Sequence, residues 1–169
     1  MGTGVTSEFE ASLDSLGVTW TRTVSESFGA TVDEAVEAPA VGTPLPFEGV
    51  SLADTVVTRD PTAAELDAAT TGVTPAEMAI ADYGSVVVTP SGIGHEPVSL
   101  YPERHVAVVA ESDVVADMAA AFERLGEAFA AGNDDAIIAT GPSATADMGA
   151  LVEGAHGPKD VHVVVLEDR

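Results

Sequence analysis

Apolar residues recur along the chain at two spacings, one typical of helices and one typical of strands. Apolar positions three or four residues apart predict helices over residues 5–16, 25–37, 61–69, 74–81, 112–131 and 145–153. Short runs rich in valine, isoleucine and threonine predict strands over residues 18–24, 54–59, 85–89, 105–110, 136–140 and 161–166. The segments 39–49 and 90–102 are rich in proline and glycine and are predicted to be loops.

Two of the predicted helices carry recognisable start signals. The sequence Thr-Pro-Ala-Glu at residues 74–77 resembles a capping box, and Ser112 is placed to cap the long helix that follows. That long helix is amphipathic, and we expect it to bury one face. The residues of this face are Val115, Met118, Ala119, Phe122, Leu125 and Phe129.

Alternation of helices and strands is typical of a mostly parallel sheet with helices on both faces. The valine run at residues 163–165 fits a strand that is buried on both sides. With 169 residues, of which 46% are hydrophobic, the chain fits one domain better than two. We therefore predict a single α/β domain spanning residues 1–169.

The charge is strongly negative, with 28 acidic and 6 basic residues and a net charge of −22. Because the acids are scattered along the chain, they indicate a surface adapted to concentrated salt, as in a halophile. The charge argues against unaided binding to nucleic acid or to an anionic membrane. No apolar run is long enough to span a bilayer, and the first residues do not resemble a secretory signal. We expect a soluble cytoplasmic protein.

The chain contains no cysteine, which excludes disulfides, thiolate metal ligands and an iron–sulfur cluster held by this chain. Its four histidines match no zinc-binding spacing. We therefore predict no metal site and no cofactor in this chain. A redox centre would belong to a partner protein.

The strongest candidate site follows the predicted strand 136–140. Ligands of parallel α/β sheets bind beyond the carboxyl ends of the strands, and a helix that starts there offers free N–H groups. Gly141 makes the turn, Ser143 and Thr145 add hydroxyl donors, and Asp147 is a candidate base. This arrangement predicts a site for a small carboxylate or phosphate. The alternative is that Ser143 or Thr145 simply caps the helix and Asp147 complements its dipole.

Three further residues are weaker candidates. His156 lies between Ala155 and Gly157 near the last strand, where it is either an exposed group that titrates or a loop residue without a role. Asp82 and Ser99 lie on predicted turns and loops, where binding residues are common. An Asx turn is the structural alternative for Asp82. His105 and His162 lie at the starts of strands and are interpreted as structural.

Three blocks in the second half of the chain carry a recognisable pattern. The blocks are residues 72–74 with 79–84, residues 99–102 with 105–109, and residues 141–148 with 156–158 and 162–163. They resemble the LUD-domain family, specifically its lactate utilisation protein C branch. The family patterns are G-V-T … A-I-A-D/E-T-G, then S-L-L-P … H-I-A-V-V, then G-P-S-R-T-A-D-I-E … G-V-H-G-P … L-H-V. The resemblance makes residues 72–166 a family-like core and residues 1–70 a variable part.

The resemblance implies a fold of the sugar-phosphate isomerase and coenzyme A transferase-like α/β group. It also implies a role in oxidising L-lactate to pyruvate together with separate iron–sulfur partner proteins. Asp147 and His156 are then the catalytic candidates, and the ligand-binding candidates are Gly141, Ser143, Thr145, Ser99 and Asp82.

The chain departs from the family pattern at two positions of the third block. Ala144 stands where the pattern has arginine, and Gly149 stands where it has glutamate. Loss of a guanidinium removes the best bidentate anchor for a carboxylate or phosphate. Arg104 and Lys159 are the candidates to replace it. Two other hypotheses stay open, a stand-alone enzyme acting on a small phosphorylated or acyl substrate and a non-catalytic carboxylate-binding domain.

The charge generates a first prediction. We expect the melting temperature to rise between about 0.1 M and about 2 M KCl, because added salt shortens the range over which the acidic side chains repel one another. Scanning calorimetry over a KCl series measures this. An unchanged melting temperature would contradict the interpretation of the acidic surface.

Overall fold

A computed structural model describes residues 2–90, 94–145 and 151–169 of the chain. Its strands, in chain order, are β1 (Thr19–Thr23), β2 (Ala40–Gly42), β3 (Thr58–Arg59), β4 (Thr71–Pro75), β5 (Met78–Ile80), β6 (Ser85–Val88), β7 (Arg104–Ala110), β8 (Val114–Val115), β9 (Ile137–Thr140), β10 (Ala144–Thr145), β11 (Val152–Glu153) and β12 (Asp160–Leu166). Its α-helices are α1 (Gly2–Ser15), α2 (Phe28–Ala35), α3 (Ala63–Ala68), α4 (His95–Leu100) and α5 (Met118–Ala130). Within these residues, no helix is long and apolar enough to cross a bilayer.

The main sheet has six strands in the order β1-β12-β7-β4-β2-β3, and every neighbouring pair is parallel. Strands β12 and β7, called the central strands, are the second and third in this order, and their valines are buried on both faces of the sheet. This burial is what the continuous valine run predicts, because each residue of a central strand contacts one covered face or the other. The predicted mostly parallel α/β sheet is confirmed.

One face of the main sheet is covered by α2 and by the segment that follows β2. Phe28 and Val32 of α2 pack against Val106 and Val164 of the central strands. These apolar side chains form a continuous core on this side of the sheet.

The other face is covered by α1 and by a second, smaller sheet. Phe9 and Leu13 of α1 pack on Ala107 and Val163. The second sheet has four strands in the order β8-β5-β6-β9, and α5 covers its outer side, with Leu125 against Met78 and other residues. Helices therefore lie on both faces of the main sheet, as predicted.

The helix predicted over residues 74–81 is wrong. Thr74 and Pro75 end β4, and the following residues enter β5. The backbone N–H of Glu77 donates to the carbonyl of Val87 across the second sheet. The capping-box pattern at residue 74 is local, and pairing of β4 with its neighbours overrides it. A capping box does form at Thr62 and Glu65, where α3 begins.

Several predicted boundaries also differ from the structure. The strand predicted over residues 54–59 contains only β3, and the loops predicted over 39–49 and 90–102 contain β2 and α4. These elements are too short to produce a periodic pattern, and β2 forms because β4 pairs with it.

The long helix starts later than predicted and buries a different face. Asp117, not Ser112, caps α5 by accepting a hydrogen bond from the N–H of Ala120. Ala121 and Leu125 are buried, whereas Phe122 is 60% and Phe129 is 44% exposed. The predicted apolar stripe assumed that every large apolar residue of the helix faces the core, but the side that packs on the second sheet is the one that carries Ala121 and Leu125.

Gly72 in β4 sets how closely α4 lies on the sheet. A Cβ atom at this position would fall far inside van der Waals distance of the Val98 carbonyl oxygen in α4 and within 3.1 Å of Pro102 Cγ. Only glycine therefore permits this packing, and α4 cannot approach β4 so closely with any other residue at position 72.

We predict that Gly72→Ala destabilises the protein by about 1–3 kcal/mol, because the new methyl group meets backbone atoms that cannot rotate away. Gly126→Ala in α5 is the matched control. Nothing lies within 4 Å of a Cβ at Gly126, and alanine there should stabilise by about 0.5–1 kcal/mol. Urea unfolding at constant KCl concentration measures both free energies, and equal stabilities for the two variants would contradict the packing argument.

Candidate functional site

The first residues after β9 form a turn and then the short strand β10, not the start of a helix. Gly141 has a φ of +67°, which favours glycine, and ends β9 in a tight turn. Strand β10 pairs antiparallel with β11. The helix predicted over residues 145–153 is therefore wrong at both of its ends. Asp147 lies outside the described residues.

This correction changes the chemistry available at the turn. Because Thr145 is in a strand, it does not begin a helix, and a helix dipole that starts at Thr145 does not contribute to anion binding. The local sequence resembles a helix start because a Ser-x-Thr-x-Asp pattern suits an N-terminus, but the same hydroxyl-bearing residues are compatible with a short strand.

Two backbone hydrogen bonds fasten the turn after β9 to the segment that carries His156. The N–H of Ser143 donates to the carbonyl of Pro158 over 2.8 Å, and the N–H of Gly154 donates to the carbonyl of Ser143 over 2.8 Å. They bring His156 and Ser143, which are thirteen positions apart in the chain, to the same place.

A cavity of about 190 Å³ opens beside this junction. It lies between β9 of the second sheet and the first residues of β7 and β12. Its lining residues are Val88, Ser99, Leu100, His105, Ile137, Ala139, Thr140, Gly141, Pro142, Ser143, His156, Gly157, Pro158 and Val161. Four of the residues predicted from the sequence line it together, namely Gly141, Ser143, His156 and Ser99.

The cavity lies at the carboxyl end of β9, where the sequence placed it, but at the amino ends of the central strands, contrary to the expectation that strand 136–140 belongs to the parallel sheet. His105 and Val161 are each the second residue of a strand of the main sheet. The expectation fails because β9 belongs to the second sheet, whose strands run in mixed directions. The carboxyl end of β9 therefore meets the amino end of the main sheet.

Ser99 reaches the cavity from α4 and not from a loop. Its side chain is buried, and its hydroxyl donates to the carbonyl of Glu96 over 2.8 Å. The oxygen of this hydroxyl keeps lone pairs with which it can accept a further hydrogen bond. The close packing of α4 on Gly72 places Ser99 on the same side of the main sheet as His105.

His105 is the lining residue that the sequence interpretation missed. It is buried, and its Nε2 atom shares a hydrogen bond of 2.9 Å with the hydroxyl of Thr74, which is itself buried. Burial lowers the pKa of His105 from 6.5 to about 4, so the imidazole is neutral at pH 7. A histidine at the start of a buried strand is more often structural, and nothing local distinguishes His105 from His162.

The remaining candidates lie elsewhere. Asp82 is exposed in a 3-10 turn between β5 and β6, and its N–H donates to the carbonyl of Ala116. Neither Asp82 nor Thr145 lines the cavity. A position on a turn, or a hydroxyl close to the motif in sequence, is therefore not enough to place a residue in the cavity lining. The direction of the backbone decides which side chains reach the cavity.

Ala144 stands where the family pattern has an arginine, and the two cations named as its replacements both pair with other groups. Arg104 lies on the opposite face of the sheet from His105, where it donates to the carbonyl of Ala35 and pairs with Asp160. Lys159 pairs with Glu103 over 2.7 Å on the surface. No lysine or arginine lines the cavity among the residues that the structure describes.

His162 has a structural environment on the face that α2 covers. Its Nδ1 and Nε2 atoms lie 2.8 Å and 3.2 Å from the hydroxyls of Thr19 and Thr21 on the neighbouring edge strand. Burial, and secondarily the positive charge of Arg104, lower the pKa of His162 to about 4. No group of three or more potential metal-ligating side chains occurs in the described ranges.

The neutral state of His105 is open to a direct test. We predict that its imidazole Cε1 proton keeps the chemical shift of a neutral ring down to about pH 5 and titrates only near pH 4. Proton NMR follows the titration, and His105→Gln assigns the signal. Because the unfolded chain binds this proton at higher pH than the folded chain, the free energy of unfolding should fall as the pH drops from 6.5 towards 4. A titration midpoint near 6.5 would contradict the burial of this ring.

Known proteins share both the sequence pattern and the architecture. Lactate utilization protein C of Bacillus licheniformis is 38% identical over 104 residues, which cover 58% of this chain and 42% of that protein. Lactate utilization protein C 1 of Bacillus mycoides is 34% identical over 106 residues, which cover 60% of this chain and 45% of that protein. The match therefore spans less than half the length of these curated relatives.

A solved structure shows the same fold over nearly the whole chain. The crystal structure of a DUF162 family protein from Deinococcus radiodurans aligns with a TM-score of 0.75 at 21% identity and covers 99% of both chains. The model of the LUD domain family matches residues 9–166, a range that begins well before the first recognised block. The chain belongs to the LUD domain family.

Proposed function

We propose that this chain is a small-ligand-binding component of a cytoplasmic system that oxidises L-lactate to pyruvate. The observation that carries the proposal is the convergence of Ser99, Ser143, His156 and the missed His105 on one cavity. Small cavities with a mostly apolar lining and a few convergent polar groups are typical ligand sites. The resemblance to proteins named lactate utilization protein C supports the choice of system.

The proposal assigns the redox chemistry to partner proteins. Oxidation of lactate to pyruvate removes two electrons and two protons, so an electron acceptor is required. This chain has no cysteine with which to hold an iron–sulfur cluster. In the proposed division of labour, iron–sulfur partner proteins accept the electrons and this chain handles the small acid.

His156 is the proposed proton-handling group of the site. It is the exposed histidine of the cavity lining, so its ring nitrogens can exchange protons with solvent as well as with a ligand. His105 is neutral at pH 7 and buried, which suits it to hydrogen bonding and not to charge pairing. Asp147 stays a second catalytic candidate on sequence grounds.

Filling the cavity tests the proposal. In a host strain from which the gene is deleted, we expect the wild-type gene to restore growth on L-lactate and the Ala139→Leu variant to fail. The reason is that Ala139 lines the cavity, so a larger side chain occupies the space of the ligand. Ile138→Phe is the matched control on the same strand, because Ile138 is exposed and absent from the lining.

Urea unfolding of both variants verifies that they fold, so that loss of growth on lactate can be attributed to the filled cavity. Growth on lactate that does not depend on the gene would contradict the proposed system. Full restoration by a folded Ala139→Leu variant would contradict the role of the cavity.

A further inference from the structure

The cavity has a composition that restricts the charge of its ligand. We infer that it accepts a short acid with a single carboxylate and an apolar tail, and that it rejects dicarboxylates and phosphates. This inference rests on the proposed function, and it narrows the carboxylate or phosphate expected from the sequence to one ligand class.

The volume limits the size of the ligand. At ~30 Å³ for each water-sized group, a cavity of 190 Å³ holds about six non-hydrogen atoms. Three-carbon hydroxy acids and branched acids of four or five carbons are therefore near the upper limit. Nucleotides and sugar phosphates are far larger than this space.

The inner wall of the cavity is mostly apolar. Val88 and Val161 are buried at the ends of their strands, and the side chains of Ile137, Ala139 and Leu100 line the space beside them. Contact with these side chains favours a short alkyl group, because it removes apolar surface from water.

The polar groups of the lining are neutral or exposed. Ser99 and His105 are buried, and His105 carries no charge at pH 7. Ser143 is half-buried, and His156 is exposed at the opening. One carboxylate can therefore sit at the opening, where it stays partly hydrated and meets hydrogen-bond donors, while the tail enters.

A second negative charge has no partner inside. Arg104 and Lys159 pair with acidic side chains away from the cavity, and no other cation lines it among the described residues. Removing an unpaired ionised carboxylate from water is strongly unfavourable. The net charge of −22 adds repulsion that grows with the charge of the ligand.

The test compares two acids of the same shape that differ in one charge. Malonate and isovalerate have seven non-hydrogen atoms each and the same branching, with a carboxylate in one where the other has an isopropyl group. Titration calorimetry at pH 7 in about 2 M KCl, with lactate and inorganic phosphate added to the panel, measures the affinities. We expect isovalerate and lactate to bind at least about tenfold more tightly than malonate and phosphate.

A pair of lysine variants checks that the lining residues cause the preference for acids with one carboxylate. Leu100→Lys places a cation in the wall of the cavity, whereas Tyr101→Lys adds the same charge at an adjacent exposed residue outside the lining. We expect Leu100→Lys to raise the affinity for malonate relative to isovalerate about tenfold, and Tyr101→Lys to leave the ratio as in the wild type.

The results distinguish failure of this inference from failure of the proposed function. Wild-type protein that binds malonate or phosphate as tightly as isovalerate overturns the inference and leaves a ligand-binding component intact. Absence of binding by every acid overturns both. If Leu100→Lys does not fold, as judged by urea unfolding, the wild-type ratio of malonate to isovalerate affinity still decides the question.

Discussion

The close approach of α4 to β4 at Gly72 is the contact on which the site depends. Without a side chain at this position, the helix backbone lies directly on the strand, and Ser99 comes to the same face as His105. The hydroxyl of Thr74, two residues further along β4, then holds the His105 ring. One short segment of β4 thus provides both the packing surface for a helix and the hydrogen bond that orients a buried imidazole.

The site lies where two sheets meet, whereas a simple doubly wound fold has a single sheet. The second sheet lies over one face of the main sheet, and its strand β9 ends beside the start of β7 and β12. The two hydrogen bonds of Ser143 and Gly154 then fix the returning loop against the turn. The cavity is therefore a product of the way in which the two sheets meet, and not of any single loop.

The electrostatics of the molecule change between its surface and its cavity. The chain carries a net charge of −22, yet the described lining contains no aspartate, glutamate, lysine or arginine. A neutral, partly apolar pocket on a strongly acidic protein favours ligands through shape and apolar contact more than through ion pairing. Dissolved salt would screen the long-range repulsion between a small acid and this acidic surface.

The sequence by itself determined the α/β class, the central strands β7 and β12, and a motif around residues 141–158 that contributes to the cavity. These features follow from local apolar periodicity and from residues such as Gly141 that permit a particular backbone conformation. Both signals act over a few positions of the chain. The tertiary structure decided that residues 74–75 and 78–80 lie in strands, that Thr145 begins no helix, and that His105 joins the site while Asp82 does not. These outcomes depend on pairing between strands distant in sequence and on packing against Gly72, and such long-range contacts leave no local signal in the chain.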